Sequence, residues 1–144
     1  MRFPDGTPEY ADESEGELIG AALLCESADV LAVNLDRNDF RDKSLGVIWA
    51  AIQEAASEGN PGIVLTAYHL DRSGVLDRVG AETRLTKLAG DALIGQAFPH
   101  LTLLTHPKII SEWAGRRRGL ASAQKMARDA INGPKKDARG GVQI

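Results

Sequence analysis

The side chains of this sequence best suited to chemistry are three histidines, one cysteine and a run of arginines. The histidines are His69, His100 and His106. His100 and His106 flank a segment bracketed by Pro99 and Pro107, so their rings can approach one another. Two loop histidines hold a metal only with further ligands, and no C-x-x-C or H-E-x-x-H spacing supplies them. No metal or cofactor is therefore expected. The G-x-x-x-x-G-K-[ST] phosphate loop is absent, as are a G-x-G-x-x-G turn after a strand and a G-x-S-x-G nucleophile elbow. Asp71 and Asp77 could do acid–base work only in a cleft that shifts a pKa, and they read as solvated, helix-terminal acids. His69 falls within a helix and reads as a surface residue. Cys25 follows Ala21-Ala22-Leu23-Leu24 and reads as a small buried apolar residue. No catalytic residue is expected, and a small hydrolase built on His100, His106 and nearby acids is the least supported reading.

Arg116-Arg117-Arg118 suits either a docking surface for an acidic partner or phosphate backbone, or a solvated helix face. Consecutive residues of a helix point in different directions, so the three cannot all line one groove. Trp113 nearby is either a partner anchor or a core residue, whereas Trp49 reads as core.

The elements that would position these residues follow from composition and periodicity. A chain of 144 residues with 43% apolar residues fits one domain with a packed core. Aromatics are only 5%, so Leu, Ile, Val and Ala must fill that core, which suits packed helices. The net charge is −3 but unevenly placed. Met1 to Glu17 carries one base against six acids, and Arg116 to Ile144 carries eight bases against two acids. One cysteine cannot form an intramolecular disulfide, which agrees with a reducing, cytoplasmic setting. No segment approaches the roughly 18 apolar residues of a membrane span, and no signal peptide is recognisable.

The acidic start, residues 1–12, is expected to be flexible. Ser14 and Glu17 form a capping-box pattern that opens a helix with Leu18, Ala21, Ala22 and Cys25 on one face. A short helix is expected from Ala28 to about Leu35, then a turn at Asp36-Arg37-Asn38-Asp39, with Phe40 as a core plug. Asp42 or Ser44 caps a helix carrying Leu45, Ile48, Trp49, Ile52 and Ala55 or Ala56, which Gly59-Asn60-Pro61-Gly62 stops. Ile63 to Arg72 opens like a strand but has no partner strand, so it is assigned to a helix ended by Gly74. Gly80 opens another helix with Leu85, Leu88 and Ala89, and Gly90 to Pro99 reads as a short helix plus loop. Pro99 and Pro107 argue against a long uninterrupted helix there. Ile109, Ile110, Trp113, Leu120, Ala123 and Ala127 keep helical spacing, and Gly115 and Gly119 suggest a break into a helical hairpin. Asn132-Gly133-Pro134 is expected to end it. The expected division is a helical head over 13–104, a hairpin over 105–132 and a disordered basic tail over 133–144.

The order of these segments resembles one family. Glu15-Gly-Glu-Leu-Ile-Gly-Ala-Ala-Leu-Leu is similar to the opening helix of the N-terminal domain of DnaB-type replicative helicases. Asp39-Phe40-Arg41-Asp42 resembles its D-F-[YF]-D turn, and Val47-Ile48-Trp49-Ala50-Ala51-Ile52 the helix after it. Gly59-Asn60-Pro61 stands at its G-x-P, and Leu70 to Gly80 resembles L-x-x-x-G-x-L-x-x-[VI]-G. Leu85-Thr86-Lys87-Leu88 and the stretch from Lys108-Ile109-Ile110 to Arg117-Arg118 complete the series. No single segment is specific, but seven occur in order. Ala81 stands where the family has the second glycine of a pair.

The resemblance implies an all-α fold, a compact multi-helix head followed by a C-terminal helical hairpin. It also implies a non-catalytic protein-interaction domain in DNA replication and primosome assembly. Partners would be a second copy through the hairpin, the primase C-terminal domain, or a replicative helicase, with nucleic acid bound weakly if at all and no membrane role. Trp113, Arg117, Arg118, Ile109 and Leu120 are the expected partner-binding residues. The family's linker helix and ATPase motor are not in these 144 residues, so the expectation is a helicase fragment or a stand-alone head. The alternative is a small nucleic-acid-binding protein using the basic C-terminal third.

Overall fold

The structure, a computed structural model, describes residues 2–137, with side chains described through residue 132. Among the described residues it holds six α-helices, two 3-10 turns and no strand, apart from a lone bridge between Arg2 and Pro8. The all-α expectation holds. The chain divides into two units, one ending at Ala114 and one starting at Gly115.

The first helix, α1, spans Glu9–Leu24. It starts five residues before the expected cap. Glu9 and Asp12 in its first turn suit the positive end of the helix dipole. Ser14 is no cap: it is buried in the helix, and its hydroxyl donates to the Ala11 carbonyl at 2.6 Å. The start of the chain forms a turn of its own. The Phe3 N–H donates to Thr7 O and the Gly6 N–H to Phe3 O, each at 2.8 Å. The Arg41 guanidinium sits 3.7 Å from the centre of the Phe3 ring. A tight turn and a cation on an aromatic face hold a segment too short to bury much.

Helix α2 is one short turn, Ser27–Leu31, ending before the expected Leu35. The turn Arg37–Asp39 closes on itself: Asp36 accepts from the Asn38 N–H at 2.9 Å, and Asp39 accepts from the Asp36 N–H at 2.8 Å. Helix α3, Lys43–Ser57, buries Leu45, Ile48, Trp49, Ile52, Ala55 and Ala56, as its spacing predicts. The Trp49 indole N–H donates to Leu35 O at 3.0 Å, so the large ring is buried with its polar edge satisfied. Helix α4, Ile63–Arg72, settles the strand-like stretch as helix, with Thr66, Ala67 and Leu70 inward.

Helix α5 spans Ala81–Gly95 and runs straight through Gly90. It packs most extensively against α1. The crossing is close because Gly20 has no side chain: a β-carbon there would lie 2.3 Å from the Leu88 carbonyl oxygen and 2.9 Å from the Ala92 β-carbon. At the start of α5, Gly80 has φ +106°, and Ala81 is also left-handed at φ +61°. A β-carbon in that region costs about 1–2 kcal/mol.

Helix α6 runs from Pro99 to Asp137, which corrects the expected loop and hairpin break. Pro99 sits at the start, where its missing N–H costs nothing. Pro107 deprives the Leu103 carbonyl of a helical partner, but buried residues on both sides, Thr102 and Leu103 before it and Ile110 and Ala114 after it, hold the axis. Gly115 and Gly119 stay helical. Each weakens a helix by about 1 kcal/mol relative to Ala, but neither takes the left-handed conformation that a hairpin turn would use. Pro134 removes one bond near the helix end and does not stop it. Residues 138–144 of the expected tail lie outside the described residues.

Two substitutions test this packing by urea denaturation. Gly20→Ala should destabilise by about 2 kcal/mol through overpacking against Leu88. Ala81→Gly should stabilise by about 0.5–1 kcal/mol by relieving the left-handed strain, net of glycine's entropy cost.

Candidate interaction site

The residues with chemistry in the head are tied into structure. Glu15 is 1% exposed, yet it is a carboxylate. Its two oxygens accept the backbone N–H groups of Arg41 at 2.8 Å and Asp42 at 3.1 Å. Asp42 in turn caps α3, accepting from the Ser44 N–H at 2.9 Å and the Ser44 hydroxyl at 2.6 Å. Arg84 of α5 donates to Ser44 Oγ at 2.5 Å and to the Asp42 carboxylate at 3.4 Å. Arg41 pairs with Asp12 at 2.8 Å. Burial alone would raise the Asp42 pKa. The Ser44 hydroxyl, the Leu45 N–H, the Arg84 guanidinium and the Ser44 N–H outweigh it and hold the carboxyl below its ordinary 3.8.

The histidines do not meet. His100 lies 3.5 Å from Asp29, and His106 lies 2.8 Å from Glu17. His69 is not a surface residue: its side chain is 13% exposed, between Glu54 and Glu58. Glu54 lies in the last turn of α3 and Glu58 is its C-cap, four positions on, so both meet His69 of α4. Among the described residues no group of three His, Cys, Asp or Glu is placed to hold a metal. Cys25 is half-buried rather than buried, and its thiol pKa is raised by burial, with Asp29 and Glu26 adding to the effect. A raised thiol carries less of the reactive thiolate at neutral pH. Asp71 and Asp77 are exposed.

The five expected partner-binding residues divide between the two units. Ile109 and Trp113 belong to the head. Ile109 is half-buried beside the buried Ile110. The Trp113 indole N–H donates to the Tyr10 hydroxyl at 3.2 Å, and the two rings meet edge to face at 6.4 Å. The Arg2 guanidinium lies 5.5 Å from the Trp113 ring. Trp113 thus fastens the start of the chain to α6. In the second unit, Leu120 is 44% exposed, with Met126 at 70% and Ile131 at 73%. Arg117 is half-buried and Arg118 exposed. Met126, which sequence reasoning missed, is also exposed, on a different face of the helix from Leu120 and Ile131.

The family model of the DnaB-like helicase N terminal domain matches residues 7–102, from the buried Thr7 to the first turn of α6. The chain belongs to that family. A solved N-terminal domain of DnaB helicase from Mycobacterium tuberculosis is similar, with 26% identity and a TM-score of 0.72 over 83% of this chain and 84% of that one. No curated protein sequence matches the chain significantly. The family places this DnaB-like domain in DNA replication. The Glu15 run and the Asp39-Phe40-Arg41-Asp42 turn, which carried the resemblance, are the two sides of one buried contact. The match ends at residue 102, before the five expected partner-binding residues.

Glu15→Gln should cost on the order of 2 kcal/mol in chemical denaturation, because the amide nitrogen that replaces one carboxylate oxygen cannot accept from the backbone N–H it faces. Asp42 gives a pH signature. Its depressed pKa contributes stability above the ordinary value of 3.8 and loses it as pH falls through the lower, folded value. Asp42→Asn keeps a capping side chain, so the stability gap between wild type and variant should narrow as pH drops below 3.8.

Proposed function

We propose that this DnaB-like domain is a non-catalytic assembly module of the replication machinery, working through α6 beyond Ala114. The observation that carries the reading is that Leu120 and Ile131 are exposed on one face of the part of α6 that lies in the second unit. Helices in proteins owe most of their stability to packing an amphipathic face, not to helix propensity alone. The face would be covered by a second copy or by the primase C-terminal domain, the partners that the family resemblance implies. Arg117 and Arg118 would set the polar rim of such an interface. Function on this reading rests on buried area and needs no reactive group.

A second reading has a specific observation in its favour. Between Gly115 and Asn132 five bases stand against the single acid Asp129, a charge balance suited to a phosphate backbone. DNA affinity that falls steeply with added salt would support it.

Light scattering tests the assembly reading. The expected result is a dimer or larger species, or a stable complex when the primase C-terminal domain of the same organism is added. A monomer that ignores primase overturns it.

A further inference from the structure

The head has six arginines, and four of them are engaged: Arg2 with Gly6 O, Arg41 with Asp12, Arg72 with Tyr68 and Arg84 with Asp42. The other two, Arg37 and Arg78, are exposed and make no hydrogen bond, ion pair or ring contact among the described residues. Both line one depression of about 190 Å³. It lies between α3, the end of α4 and the two 3-10 turns, the second of which spans Asp77–Val79. Val47, Ala50, Ala51 and Glu54 follow the i, i+3, i+4, i+7 spacing of one face of α3 and form its wall. The two alanines are the reason for the hollow, since longer side chains there would fill it. Leu70 of α4 completes the apolar floor with Val75, which follows the left-handed turn at Gly74 (φ +74°). Glu54, His69 and Ser73 also line a neighbouring polar hollow, so Glu54 marks the boundary between the two, while Arg37 and Arg78 line only the apolar one.

We infer that this depression docks a short acidic segment of another protein, with one apolar side chain on the floor and flanking carboxylates on Arg37 and Arg78. Size argues for a peptide anchor. Small-molecule pockets usually hold about 300–1,000 Å³, and 190 Å³ suits a single side chain. The apolar floor requires an apolar group, and a guanidinium fork receives a carboxylate through two parallel bonds. A nucleic-acid backbone fits less well. It offers the floor nothing apolar, and as a continuous anion it would run its phosphates past Glu54. Burial of the anchor supplies affinity, and the two arginines select the sign and register of the segment. The segment belongs to a different protein, because the acidic stretch of this chain is folded into α1 with Asp12, Glu15 and Glu17 already engaged. Docking here is independent of whether α6 associates.

NMR titration of the isotopically labelled full chain with the blocked peptide acetyl-Asp-Glu-Leu-Asp-Glu-amide tests the site. The amides of Arg37, Ala50, Ala51, Leu70 and Arg78 should shift together, with a Kd of about 1 mM or tighter that weakens as salt is added. Serine in place of the peptide's leucine, or amides in place of its acids, should each weaken binding at least about fivefold. Two variants of the chain make the same cut from the other side. Arg37→Ala/Arg78→Ala removes the charges and keeps the hollow, and Ala50→Leu fills the hollow and keeps the charges. Each should bind the peptide at least about fivefold more weakly. Circular dichroism and the urea midpoint check folding, and the arginine variant with the two control peptides decides alone if Ala50→Leu fails to fold. Absence of shifts at these residues overturns the inference, as does equal binding of the serine peptide or by the arginine variant. Oligothymidylate that shifts the same amides more strongly than the peptide would assign the arginines to nucleic acid and overturn it as well.

Discussion

The Glu15 carboxyl lies inside the head, where a polar group is costly unless it is hydrogen-bonded. Its answer is a pair of backbone N–H groups 26 and 27 residues further along the chain. That one acceptor fixes where the chain turns out of the Asp36–Asp39 loop and into α3. The turn then places Asp42 to cap α3, and the capped end gives Arg84 of α5 something to hold. Three helices that share no local sequence are thereby indexed to one buried oxygen pair. Apolar burial supplies most of the cohesion in such a core, but burial is indifferent to register. The carboxylate is not, and small displacements of α1 along α3 would strand it.

Much of this head was legible in the sequence, and the exceptions have physical causes. The α3 pattern read correctly because its buried positions follow helical spacing and Asp42 is a strong cap. The strand-like opening of α4 was resolved by the lack of a partner strand. The start of α1 was misread because Ser14 and Glu17 mimic a capping box while being interior positions of a longer helix. Local patterns do not reveal that Ser14 is buried and bonded to Ala11. Pro107 misled for the same reason: its cost is local, while the buried residues that outweigh it lie on either side and meet distant helices. The link between Glu15 and the Asp39–Asp42 turn could be quoted as two motifs but not as one contact, since its partners are far apart in sequence. Of the candidate site, only residue types were legible. The sequence placed Trp113 near a docking face, and the structure gives it Tyr10 and Arg2 as neighbours. It also gave no warning that His69 sits between two glutamates, which needs α3 and α4 to be side by side.

The two units differ in how their apolar residues are used. In the head, Leu18, Ile19, Ile48, Trp49, Ile52 and Leu85 are enclosed in a core, although Leu93, Ile94, Phe98 and Leu104 stay exposed. Beyond Ala114 the large apolar residues Leu120, Met126 and Ile131 are all exposed, with basic residues among them. A surface of this composition is suited to forming contacts, not to binding a small molecule in a cavity. The division agrees with a domain whose chemistry is that of association and whose stability is settled elsewhere in the chain.

The close crossing at Gly20 has a consequence for synthesis on the ribosome. Helix α1 is made before α5, and the backbone that Gly20 meets at Leu88 emerges 68 residues later. At cellular elongation rates that interval is roughly 3–14 s. Throughout it, Leu18, Ile19, Ala22 and Leu23 have no α5 to lie against, and α3 can cover only part of them. The nascent chain therefore carries an incompletely covered apolar helix at its leading end for longer than most small helical proteins, whose contacts are local. The head closes late and from its two ends, so a ribosome paused before Leu88 would hold a chain open to capture by a chaperone.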